Sequence, residues 1–211
     1  DLDIAVSNYC KFSEKQLDLK FKIKNGEKTK IWNGEEGLKE LLYQKTFTTS
    51  AWAKLYKTKM LENIMFPLDR LHEDVGTIYK IFERAKRIGY IEAKLYFYLQ
   101  RSTSIIHSEF SSRKMDYIIL TQEMVQYFET NNKKIVPAAI SRHFSACFQV
   151  IAQCPASEKW HEEYVFLLKQ IKKYAPEVMK DTQARRRNRY IARIATINVK
   201  WAVILCKLIY G

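Results

Sequence analysis

At residues 72–74 the chain reads His72-Glu73-Asp74, and an apolar period of Val75, Ile78, Tyr79, Phe82 and Ala85 follows. That spacing predicts an amphipathic helix over 73–87, with the imidazole and both carboxylates at its start. A carboxylate near a helix N-terminus stays ionised and can accept a proton from a hydroxyl nucleophile. The same two acids also suit ordinary first-turn capping, and spacing alone leaves both readings open. Trp52-Ala53-Lys54-Leu55-Tyr56-Lys57 is the second candidate. In a helix over 51–64, Lys54 and Lys57 share a face that could hold a phosphate or simply be solvated, while Trp52 and Tyr56 pack inward. The third is the run from Tyr96 to Ile105, where Gln100-Arg101 ends a strand beside the hydroxyls of Ser102, Thr103 and Ser104. An Arg there can fork onto a phosphate or carboxylate, or pair with a local Glu. In the last helix, Arg186, Arg193, Lys200 and Lys207 recur every seven residues beside Tyr190, Ile194, Ile197, Trp201, Leu205 and Leu208. Such a helix suits an anionic membrane surface, with docking on the chain's own core as the alternative.

The elements that must position these groups change character near residue 112. Before it, Ile4–Tyr9 reads as a buried strand. Leu17–Ile23 and Lys28–Trp32 read as a hairpin about Asn25-Gly26, Glu35–Gln44 as a helix, and Tyr90–Ile91 and Lys94–Leu99 as two short strands. After it, Met115–Thr130, Pro137–Gln153, Glu158–Tyr174 and Asp181–Leu208 carry helical periodicity, with Pro137, Pro155 and Pro176 at the breaks. The expected fold class is α/β over 1–112, followed by a mainly helical region over 113–211.

The formal net charge is +13, and it is uneven. Residues 1–112 hold 19 Lys and Arg against 15 Asp and Glu, whereas 113–211 hold 17 against 8. The basic second region implies an anionic partner or a solvated face. The Arg185–Arg189 run comes without a nucleic-acid-binding module, so nucleic acid is not an expected partner. The four cysteines have no C-x-x-C spacing, and reduced thiols in the cytoplasm are expected, with the basic helix at the inner face of the membrane. No stretch reaches about 18 apolar residues, so none is expected to span a bilayer. Asp1-x-Asp3 matches a D-x-D metal motif by letters only, because Asp3 heads a strand and no further ligands follow; no metal ligand is assigned. Gly-rich phosphate loops, G-x-S-x-G and H-E-x-x-H are all missing.

Residues 52–110 resemble the second half of bacterial family 2 glycosyltransferases, which have the GT-A fold. Residues 52–57 resemble the family's W-N-K-L-Y-K segment, with Ala53 in place of Asn. Ile64-Met-Phe-Pro67 resembles I-R-F-P, and His72-Glu73-Asp74 resembles H/Y-E-D. Residues 86–91 and 94–100 resemble the K-I-V-Y-I and L-Y-Y-Y strand pair, and Gln100-Arg101 with Ser104-Ile105 resembles Q-R-x-x-S-I. Asp3–Phe12 is similar to the strand that opens that half.

The resemblance implies an inverting transfer of sugar from a nucleotide-sugar donor to a glycan acceptor, in the synthesis of a capsule, wall or other surface polysaccharide. It implies Asp74 as the catalytic base, Glu73 as its orienting partner, and Trp52 on the acceptor cleft. Lys54, His72 or Arg101 would neutralise the departing diphosphate, with Gln100 and Ser104 in the same substrate-binding motif. The family's nucleotide-binding strand and its D-x-D, which holds Mg²⁺ or Mn²⁺, have no counterpart here. The chain also opens directly on a strand without an initiator Met. A piece of a longer enzyme, inactive without its own N-terminal half, is therefore expected. The alternative is a non-catalytic binding or membrane-docking module that keeps the acceptor-side scaffold.

Overall fold

The computed structural model describes residues 1–13, 26–100 and 109–210. Its α/β part is built on a four-stranded mixed sheet of order β2-β4-β1-β3. The two central strands, β1 (Ile4–Ser13) and β4 (Arg87–Gln100), run parallel, with Ile4 opposite Ile88. The outer strands β2 (Thr29–Asn33) and β3 (Lys54–Tyr56) pair antiparallel with β4 and β1 respectively. Parallel neighbours need a crossover, and the segment between β1 and β4 carries helices α1 (Gly34–Leu42) and α2 (Ile78–Arg84). Leu38, Leu41 and Leu42 of α1 and Ile78, Ile81 and Phe82 of α2 are buried with Ile4 and Ile88 of the sheet. Each such side chain contributes about 1.5–3 kcal/mol of burial.

Local chemistry sets the start of α1. The Asn33 side chain accepts the Glu36 N–H at 2.9 Å, and Glu35 and Glu36 meet the positive end of the dipole. A Cβ on Gly34 would lie 1.9 Å from the Ala85 carbonyl oxygen, so only glycine lets α1 approach the chain entering β4.

Several expectations are corrected here. The segment 51–64 is not a helix: residues 51–53 bend, Lys54–Tyr56 forms β3, and a single 3₁₀ turn spans Thr58–Met60. Ala53 has φ 58°, a left-handed conformation that a helix cannot contain, and its carbonyl accepts the Ser7 N–H. The helix expected over 73–87 is only α2, preceded by turns through residues 71–77. The two short strands expected at 90–91 and 94–99 are one strand, β4; the break between them is a bulge opposite Ser7–Tyr9. The strand expected over 17–23 lies outside the described residues, while Gly26 has the positive φ (84°) its turn position demands.

The remaining helices are α3 (Asp116–Asn131), α4 (Val136–Gln153), α5 (His161–Lys180), α6 (Arg186–Ile197) and α7 (Val199–Tyr210). Pro137 sits in the first turn of α4 and Pro155 between helices, as the sequence suggests, but Pro176 lies inside α5. Burial of Tyr174, Ala175 and Val178 holds that last turn together despite the backbone bond the proline removes. The single helix expected over 181–208 is broken at Asn198, whose extended backbone ends α6. Its side chain accepts the Lys200 and Trp201 N–H groups and so opens α7. The seven-residue basic repeat is thereby divided between two helices. Buried residues of the α/β part and of the helices form one continuous core. Among the described residues no helix is long and apolar enough to cross a membrane.

Candidate active site

The α/β part and the helices together enclose a cleft of about 840 Å³. One wall is the turn-rich segment that leads into α2. Here His72 takes φ 63°, the Val75 N–H returns to the His72 carbonyl, and the Asp74 carbonyl accepts both the Thr77 and Ile78 N–H groups. The segment is anchored by the helical region. Asp116, at the start of α3, accepts the Leu71 N–H at 3.0 Å and the Arg70 guanidinium at 2.9 Å, and the His72 ring stacks on Tyr117 at 4.3 Å.

Asp74 lines this cleft and is half-buried. Its carboxylate accepts the Val75 N–H at 2.7 Å. Among the described residues no cation lies within ion-pair distance of it. Burial raises its pKa above the ordinary aspartate value, partly opposed by the Val75 N–H and by the positive charges of Arg142 and Lys54. Glu73 is exposed on the same wall and adds to the rise. His72 is shifted the other way: desolvation, followed by the Arg142 charge, lowers its pKa, so the ring is neutral at pH 7. It acts there as a stacking group against Tyr117.

A second wall is aromatic. Trp52 stacks against Tyr96 at 5.0 Å and Tyr98 at 4.8 Å, and meets Tyr9 edge-on at 4.7 Å. Trp52, Tyr96 and Tyr98 all line the cleft, giving it a flat aromatic platform. The left-handed Ala53 is what turns Trp52 out of register with β3 and onto the β4 tyrosines.

Helices supply the third wall. Lys114, Tyr117, Arg142, Gln149 and Gln153 face the cleft from α4, α3 and the turn before α3. Arg142 donates to the Tyr117 hydroxyl and, at 3.3 Å, to Thr49 Oγ1, which joins the two parts of the molecule. Lys114 donates to Gln153 Oε1 at 2.6 Å.

Of the residues singled out in the sequence, the structure gathers Trp52, His72, Glu73 and Asp74 in one cleft. Lys54 lies behind it, with its ammonium turned to the Ser50 and Trp52 carbonyls and its pKa pushed down to about 8 by burial. Gln100 is exposed at the far end of β4, beside Ser13, away from the cleft lining. Arg101 and Ser104 lie outside the described residues. Arg186, Arg193, Lys200 and Lys207 are all exposed on α6 and α7. The Tyr96 and Tyr98 platform and the whole helical wall went unrecognised as site residues. One signal for Arg142 was available: it sits in an 18-residue helix that has no acid anywhere and carries only Ala and Ser three and four positions away.

The described residues do not fit a divalent metal. Asp3, the only inward acid of the D-x-D-like pair, is committed to the Lys86 and Arg87 N–H groups and to the Lys57 ammonium. Among the described residues no three His, Cys, Asp or Glu side chains come together as a ligand set.

No family model matches the chain. Over 108 residues, 49% of the chain, it is 32% identical to Glycosyltransferase GlyA of Streptococcus pneumoniae serotype 4. The chain spans 16% of that protein's length. About half of this chain is thus related to part of a glycosyltransferase.

Proposed function

We propose that this chain is the acceptor-side part of an inverting, nucleotide-sugar-dependent glycosyltransferase of family 2, with the GT-A fold, that builds a surface polysaccharide or related glycan. The observation that carries the reading is Asp74: a cleft-lining carboxylate, free of ion pairs among the described residues, with a raised pKa and an aromatic platform nearby. The acceptor sugar would lie on Trp52, Tyr96 and Tyr98, presenting a hydroxyl to Asp74. That hydroxyl attacks the anomeric carbon of the donor while Asp74 takes its proton. The bond from the anomeric carbon to the diphosphate breaks, and the electron pair leaves with the nucleoside diphosphate. A base whose pKa lies closer to neutrality removes the proton more effectively than an ordinary aspartate. Glu73, beside Asp74, supports that elevation by like-charge repulsion. The donor and the Mg²⁺ or Mn²⁺ it requires are assigned to an N-terminal half outside this sequence, consistent with the small share of its relative that the chain spans.

The test is Asp74→Asn in the complete protein, assayed for transfer from nucleotide sugars. Turnover is expected to fall by about 10²–10⁴ with donor binding retained. Near-normal turnover would remove the base assignment and leave the non-catalytic binding module as the better reading.

Peripheral docking on an anionic membrane is a second part of the proposal. On α7, Ala202, Val203 and Cys206 face the core, while Trp201, Ile204 and Leu208 are exposed, as is Ile197 just before the helix. This apolar row is flanked by the exposed Lys200 and Lys207, the pattern of a helix lying in a lipid interface. Vesicles containing anionic lipid should bind the protein in a salt-sensitive way. Equal binding to neutral vesicles would contradict a role for the basic residues.

A further inference from the structure

Arg142 is only 2% exposed and Lys114 only 6%, yet both face the cleft. A buried guanidinium is costly unless it meets an anion and fills its donors. Arg142 meets neither condition within the described residues. Its two hydrogen-bond partners are the neutral hydroxyls of Tyr117 and Thr49, its Nε–H has no partner, and no carboxylate lies within ion-pair distance. Its helix contributes no acid that could serve. The acids in the cleft, Glu73 and Asp74, stand on the opposite wall. The Arg142 charge reaches Asp74 and His72 only as a longer-range field that lowers both pKa values.

We propose that Arg142, with Lys114 beside it and the Tyr117 and Thr49 hydroxyls bracing it, forms a subsite for a phosphate group of the substrate. This deepens the transferase reading, on which it rests, by naming the charge the cleft accepts. The cleft then has two ends. The carboxylate end, at Asp74, takes a hydroxyl. The cationic end, on the helical wall, takes an oxyanion in the fork of the guanidinium. A phosphate could come from the donor's diphosphate or from a phosphate carried by the acceptor. Either supplies the counter-charge that Arg142 lacks among the described residues.

The test is a calorimetric and NMR titration of the 211-residue chain with inorganic phosphate, pyrophosphate, glucose 1-phosphate and glucose. With a net charge of +13, phosphate will also meet surface lysines, so the reporter must be local. His72 provides it, because an anion seated at Arg142 offsets the field that depresses its pKa. The expected result is phosphate binding that raises the His72 pKa and weakens at least about tenfold in Arg142→Gln. Lys114→Gln, with an altered turn rather than an altered helix core, should weaken binding in the same direction if Arg142→Gln fails to fold. Tighter binding of pyrophosphate than of glucose 1-phosphate would assign the subsite to the donor's diphosphate, and the reverse order to a phosphorylated acceptor. Phosphate binding that leaves the His72 pKa unmoved, or equal affinity in wild type and both variants, overturns the proposal. The outcome is separable from the base assignment, because Asp74→Asn removes a nearby negative charge and should leave phosphate binding intact or stronger.

Discussion

The two regions that close the cleft solve the problem of presenting a polar site in opposite ways. The α/β side does it with irregular backbone. All five non-glycine residues with positive φ among those described, Gln44, Ala53, Asn63, Asp69 and His72, fall between residues 44 and 72, and two of them adjoin or belong to the site. The helical side has none. It presents Arg142, Tyr117 and Gln149 from regular helices, where the backbone is already satisfied and side-chain identity alone makes the site. The lesson is a division of labour. Strained turns aim Trp52 and the Asp74 carboxylate, while rigid helices supply fixed charge and clamp those turns through Asp116 and Tyr117.

Protonating the buried histidine of the helical side should cost most. His143 of α4 is fully buried, with Nδ1 2.8 Å from Thr121 Oγ1 and Nε2 3.3 Å from Gln170 Oε1. Desolvation pushes its pKa down to about 4 from 6.5. The unfolded chain therefore binds the proton first as pH falls, and stability is lost between about 6.5 and 4. The loss should reach roughly 3 kcal/mol, read by denaturant unfolding across that range, and be largely absent in a His143→Gln variant that still folds.

Gly34→Ala attacks the α/β side instead. Its Cβ would meet a backbone carbonyl, which cannot move aside as a side-chain end can. A destabilisation of about 1–3 kcal/mol is expected by chemical denaturation. Ala53→Asn should act in the opposite sense. Asparagine tolerates the left-handed region that Ala53 occupies at φ 58°, so a gain of about 0.5–1 kcal/mol is expected, with the Trp52 stack preserved. An equal stability for Ala53→Asn and Ala53→Val would show that the turn carries no strain.

The smallest expected stability effect belongs to Asp74. Its pKa is raised, so the folded state holds its proton more tightly than the unfolded chain does. Ionisation then lowers stability as pH rises past the ordinary aspartate range. Asp74→Asn should therefore be slightly more stable than wild type at neutral pH, the sign expected of a group kept for function. A clear loss of stability would mark Asp74 as a structural residue.

The same contrast explains what the sequence reveals and conceals. The regular pieces were legible: β1, β2, α1, α3 and α4 follow from apolar period, with Pro137 marking the start of α4. The irregular ones were not. Trp52 and Tyr56 stand four apart and imitate a helix face, but β3 pairing with Ile4–Val6 overrides that period. The seven turn residues before α2 look like its first turns because Val75 and Ile78 are both buried. Asp74 stood out as a carboxylate at an expected helix start and by motif resemblance, whereas the place of Trp52 on the cleft came from the resemblance alone. Arg142 was missed because a buried cation inside an apolar helix announces itself only through the acids it lacks.

Proton removal by Asp74 shows most directly in the acid limb of transfer. In the complete protein, kcat/KM measured against pH should fall on the acid side with an apparent pKa above 3.8, the ordinary aspartate value, because burial holds the Asp74 proton. An acid limb at or below 3.8, or turnover in Asp74→Asn that follows the wild-type profile, would contradict it.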